Sequence, residues 1–105
     1  MADYQITMVR GDTLSFGLVF DGLDQDLDSA FFTVKRNTTD GFIFRKSIGS
    51  GITKQNDGKY VVRIAPADTR NIDAGYYHFD LEITVNGDVF TIMIGILEVI
   101  QDITV

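Results

Sequence analysis

Residues 71–81 read NIDAGYYHFDL, with Asp73, Gly75 and Tyr77 at the spacing D-x-G-x-Y. From Tyr77 onward the residues alternate: Tyr77, Phe79, Leu81 and Ile83 fall on one phase and His78, Asp80, Glu82 and Thr84 on the other, the period-two pattern of a strand buried on one side. Just upstream, APADTRNIDAG holds the only proline and reads as one helical turn near 66–72. Pro66 sits at an early helical position, Asp68 or Thr69 is able to cap, and Ile72 drops into a core. The stretch therefore reads as a corner. The chain crosses on a short helical turn, Asp73 and Gly75 shape the bend, and the Tyr77 hydroxyl is the candidate to return to backbone a few residues upstream.

Downstream, Asn86-Gly87 is the pair best suited to a two-residue type I′ turn, because both central positions need positive φ. It joins a strand over 76–85 to one over 88–100. A regular ladder then places Val85 opposite Asp88, Ile83 opposite Phe90, Leu81 opposite Ile92, Phe79 opposite Ile94 and Tyr77 opposite Ile96, so apolar residues meet each other. The other face combines His78, Asp80, Glu82 and Thr84 with Val89, Met93, Leu97 and Val99. Those four apolar residues are expected either to be covered where the strand ends cross or the termini fold over them, or to form an intersubunit contact.

Working back toward the N-terminus, further strands are expected over 4–9, 14–20, 30–36, 42–46 and 60–64. Leu14, Phe16, Leu18 and Phe20 share one face of the second, and Phe32 and Val34 point inward on the third while Thr33 and Lys35 point out. Residues 48–53 are ambiguous, since Gly49-Ser50-Gly51 suits a bulge or a turn. No segment of ten or more residues has 3.6-residue periodicity. The fold class is all-β: one domain over 1–105, an immunoglobulin-like two-sheet antiparallel β-sandwich of about seven strands. In antibody domains a disulfide cysteine follows the corner tyrosine by two residues, but here that position is Phe79 and the chain contains no cysteine. Phe79, with Phe16 or Leu18, is expected to fill the space of the missing bridge.

Composition narrows function by exclusion. The absence of cysteine removes disulfides and thiolate metal sites, and it suits folding in a reducing compartment. A net charge of −6, with nine basic residues scattered along the chain, disfavours nucleic-acid binding. The first residues, MADYQITMVRGDT, have no basic segment leading into an apolar one, and no run of about twenty apolar residues occurs, so neither a signal peptide nor a membrane span is expected.

Four features invite a chemical reading, and each has a simpler one. Arg10-Gly11-Asp12 is the integrin tripeptide, but a turn there also needs a positive-φ glycine and an aspartate that bonds the following backbone. Asp24, Asp26 and Asp28 alternate as at the start of a calcium loop, yet Ser29 stands where such a loop needs glycine and Lys35 where it needs glutamate. His78 is the only histidine and lies beside Asp80, as a surface residue would. The Gly49-Ser50-Gly51 segment precedes no helix that would make it a phosphate loop. No catalytic, cofactor-binding or metal residues are assigned, and the chain is expected not to be an enzyme.

The order of features over nearly the whole chain resembles the small immunoglobulin-like domains of bacteriophage and prophage tail proteins, particularly the N-terminal domain of baseplate upper proteins. The resemblance lies in the succession of short motifs: Arg10 to Thr13; Asp26, Leu27 and Ala30; Asp57-Gly58; Pro66 with Asp68 and Thr69; Gly75 with Tyr77, Phe79 and Asp80; and Gly95, Leu97 and Val99. It implies a virion structural domain, assembled in the bacterial cytoplasm, that docks onto other phage tail subunits as a homo-oligomer without nucleic acid or membrane. The chain stops at Val105 after its last strand, so a fibre or receptor-binding portion is not expected within it. The alternative is an immunoglobulin-like binding module of a bacterial surface protein for carbohydrate, with Phe31 and Tyr76 as the candidate exposed aromatics.

Overall fold

In the computed structural model, which describes residues 3–20, 26–55 and 58–103, the alternating segments become strands and the turn residues break them. The elements are β1 (Asp3–Val9), β2 (Leu14–Leu18), β3 (Ser29–Lys35), β4 (Phe42–Ile48), β5 (Gly51–Lys54), β6 (Tyr60–Ile64), the single helical turn α1 (Pro66–Thr69), β7 (Gly75–Val85) and β8 (Asp88–Ile100). Positive φ falls where the turns require it, at Gly11, Gly49, Gly51 and Gly58 and at both Asn86 and Gly87 of the hairpin. The expected type I′ turn is present.

The strand order is β1-β8-β7-β3-β4-β5-β6-β2. This is the immunoglobulin-like layout: β2, β6 and β5 take the places of strands B, E and D, and β3, β7 and β8 those of C, F and G. The expected pair of separate antiparallel sheets is one mixed, eight-stranded sheet rolled nearly into a barrel, with β1 parallel to β8 and β4 parallel to β5. The ambiguous 48–53 segment supplies the join and the additional strand. There Ser47 and Ser50 exchange backbone hydrogen bonds of 3.0 and 2.8 Å, so the chain kinks at Gly49–Gly51 and β5 runs beside the end of β4 for two rungs.

The interior is built around Phe32, which is fully buried on β3. Its ring lies 5.5 Å from Phe16 and 5.3 Å from Phe79. The space of the absent disulfide is therefore filled by a relay of three rings, with Phe32 at its centre and Phe16 reaching Phe79 through it. Leu81, Leu97, Val34, Val62, Ile64 and Ile52 complete this core, and each such side chain contributes about 1.5–3 kcal/mol by leaving water. At one end the Tyr60 hydroxyl accepts a hydrogen bond from the Leu27 backbone N–H at 3.1 Å. At the other, the Tyr77 hydroxyl donates to the Asp73 carbonyl at 2.6 Å, which is the corner expected from D-x-G-x-Y.

The β7–β8 hairpin departs from the regular ladder. Pairing runs as expected from Val85–Asp88 to Glu82–Thr91, but the next rung joins Leu81 to Met93, leaving Ile92 as the extra residue of a bulge. Every later partner moves by one: Phe79 faces Gly95, and Tyr77 faces Leu97, in place of Ile94 and Ile96. A one-residue shift exchanges the faces. Leu97 and Val99 enter the core at 0% and 1% exposure, and Ile94 and Ile96 turn outward.

Candidate functional site

The bulge decides which residues are available to a partner. The expected surface of Val89, Met93, Leu97 and Val99 does not exist as a unit, because Leu97 and Val99 are core residues and Met93 is partly buried against the core. Only Val89, near the hairpin tip, is exposed. The apolar residues that do line the outside of β8 are Ile94, Ile96 and Ile100. Sequence reasoning missed them because it extended the ladder without a bulge. Gly95, a glycine inside a strand pattern, was the signal that could have found it.

Across the outer face of β4, β3, β7 and β8, register sets the side chains in rows. One row runs Arg45, Thr33, Asp80, Ile94; the next runs Phe42, Lys35, His78, Ile96; a third runs Ser47, Phe31, Glu82, Thr91. Thr33 faces outward as expected but is only 7% exposed, because Arg45 lies over it and donates from Nε to Thr33 Oγ1 at 3.0 Å. The same guanidinium stands 4.5 Å from the Phe42 ring centre and 5.5 Å from that of Phe31, each within cation–π range. A shallow groove lies between the basic and acidic sides, lined by Phe31, Thr33, Lys35, Arg45, Asp80 and Glu82. Among the described residues the ion pairs are Arg10–Asp102, Lys46–Asp68 and Lys54–Asp26, none of which draws on this face. The face thus presents acids on β7, bases on β3 and β4, and exposed apolar edges at Ile94 and Phe42 on either side.

The remaining sequence candidates are accounted for by their surroundings. Arg10 holds Asp102 through Nε at 3.0 Å and Nη2 at 2.9 Å, and its Nη1 donates to the Ile72 carbonyl at 3.3 Å. Gly11 donates its N–H to Thr69 Oγ1 at 2.8 Å, and the Asp12 N–H closes the turn onto Val9. The tripeptide is a structural knot between the β1–β2 turn, α1 and the C-terminal segment. Asp68 accepts from the Ala65 N–H at 2.7 Å, so the capping role falls to Asp68 while Thr69 serves the knot. In the acidic stretch, Asp24 lies outside the described residues, Asp26 pairs with Lys54, and Asp28 accepts from the Gly87 N–H at 3.3 Å. Asp57, of the Asp-Gly motif before β6, also lies outside them. The two aromatics considered for carbohydrate do not form one platform. Phe31 lies opposite Glu82 and beneath Arg45, while Tyr76 is 62% exposed but six residues away along β7, about 20 Å.

No protein-family model matches the chain, and no curated protein matches it. Among solved structures, it is similar to a chain of the crystal structure of the ZIG-8–RIG-5 IG1–IG1 heterodimer. The likeness has 12% sequence identity and a TM-score of 0.48, and it covers 94% of this chain and 83% of that one.

Proposed function

We propose that this chain is a non-enzymatic docking module, a structural component of a bacteriophage or prophage tail that engages neighbouring subunits through the outer face of β4, β3, β7 and β8. The observation that carries the docking reading is the composition of that face. Apolar residues at 44% exposure for Ile94 and 51% for Phe42 flank charged groups that have no ion-pair partner among the described residues. Such a face gains from being covered, since apolar area leaves water while each charge meets a counter-charge. The tail assignment is supported by the succession of motifs along the chain. Two of them, Arg-Gly-Asp-Thr and Pro-x-Asp-Thr, are bonded to each other through Gly11 and Thr69.

Co-expression with the products of the genes that flank its own tests this reading. A tail-assembly neighbour should co-purify with the wild-type chain and be lost from Ile96→Asp, which sets a charge in the centre of the apolar strip. Flanking genes for cell-wall proteins, together with glycan binding abolished by Tyr76→Ala, would replace it with the surface-module reading.

A further inference from the structure

We infer that the partner fitting this face is a second copy of the same chain, packed face to face about a two-fold axis running along the strands between β3 and β7. This rests on reading the face as a docking surface. An isologous contact requires a patch complementary to itself, and the register supplies one. Rotation about that axis exchanges β3 with β7 and β4 with β8 while each row stays at its own level. In the first row, Asp80 of one copy falls over Thr33 of the other, where the Arg45 guanidinium already lies. In the second, Ile96 falls on Phe42. In the third, Glu82 falls on Phe31, again beneath Arg45. Both acids meet an arginine, Ile96 meets Phe42, Lys35 lies over His78, and symmetry makes every contact twice.

A partner of one charge sign would satisfy half of this face and oppose the other half; a second copy gives both acids of β7 an arginine and leaves only Lys35, which falls on His78, without an acid opposite. The size of the face sets the strength. Four strands about 4.8 Å apart and about six residues of 3.3 Å give a footprint of about 400 Å² per copy, half the ~800 Å² of a standard stable interface. The pair is therefore weak alone and gains by avidity within an assembly.

Sedimentation equilibrium on the concentrated full chain tests it. The wild type should approach twice its monomer mass as concentration rises. Asp80→Lys and Arg45→Glu should each stay monomeric, since each creates two like-charge contacts. An equimolar mixture of the two should regain the doubled mass, because the introduced lysine meets the introduced glutamate at one contact while native Asp80 meets native Arg45 at the other. A mixture that stays monomeric, with both variants melting as the wild type does, overturns the inference. Should Arg45→Glu fail to fold, Ile96→Asp must leave a monomer by the same geometry. A wild type that is monomeric at every concentration yet binds a different tail protein through Ile96 overturns the second copy and leaves the docking reading standing. A dimer that persists in Ile96→Asp forms through another surface and overturns the inference.

Discussion

The backbone N–H of Gly11 donates to Oγ1 of Thr69 at 2.8 Å across 58 positions of sequence, and Thr69 is fully buried. This bond closes the β1–β2 turn onto α1, and Arg10 beside it reaches the C-terminal segment through Asp102. Two motifs that each look like ordinary turn chemistry are therefore one structural unit.

Thr69→Val should destabilise the chain by about 1–3 kcal/mol, because the near-isosteric swap keeps the packing and leaves the Gly11 donor without its acceptor. Thr69→Ser keeps the acceptor and should lose about 1 kcal/mol or less, for one methyl group. Urea unfolding with an unchanged m-value resolves the two. Equal losses in both variants would place the effect in packing and not in the bond.

Gly95→Ala should be among the most damaging small substitutions. A Cβ there would stand 2.0 Å from the Tyr4 carbonyl oxygen and 2.8 Å from the Phe79 ring, so either β1 or the core must move. The expected loss is about 3 kcal/mol, at the upper end for overpacking, because the clash is with backbone. Hydrogen exchange should accelerate at the β1–β8 rungs such as Ile6–Leu97 and Met8–Val99 while the β2–β6 pairing stays protected.

Deleting residues around the bulge separates register from packing. Removing Ile92 leaves Glu82–Thr91 and Leu81–Met93 as consecutive rungs, so all faces are kept and the loss should be about 1–2 kcal/mol, for one partly buried side chain. Removing Ile96 instead would turn Leu97 and Val99 outward and set Glu98 against Tyr77, which should abolish folding. Circular dichroism and melting of the two deletions check this contrast.

How far the sequence could be read depended on whether a feature was local. Positive φ at Asn86 and Gly87, the Tyr77 corner and the Leu14-Phe16-Leu18 face were legible, because each depends on residues a few positions apart. The outer face was only half legible. His78, Asp80 and Glu82 were placed correctly on β7, but the β8 neighbours of His78 and Asp80, which lie past the bulge, were wrong by one, since Gly95 is held by β1 as well as by the hairpin. A conflict was visible all the same: Gly95, Leu97 and Val99 occupy the phase opposite to Ile92, Ile94 and Ile96, and both phases cannot face one core. The role of Arg45 in roofing Thr33 between two aromatic rings could not be read, because it depends on the β3–β4 register, which shifts at Val34/Lys35 and brings Phe42 opposite Lys35.

The most direct test of the docking face is an amide chemical-shift map of the wild-type chain across a dilution series. Raising the concentration should move the amides of Phe31, Thr33, Asp80, Ile94 and Ile96 together, with one midpoint, while those of Val89 and Phe90 at the hairpin tip and of Gly11 and Asp12 stay still. Shifts centred on the tip or on the Arg10 knot, with the outer face silent, would contradict it.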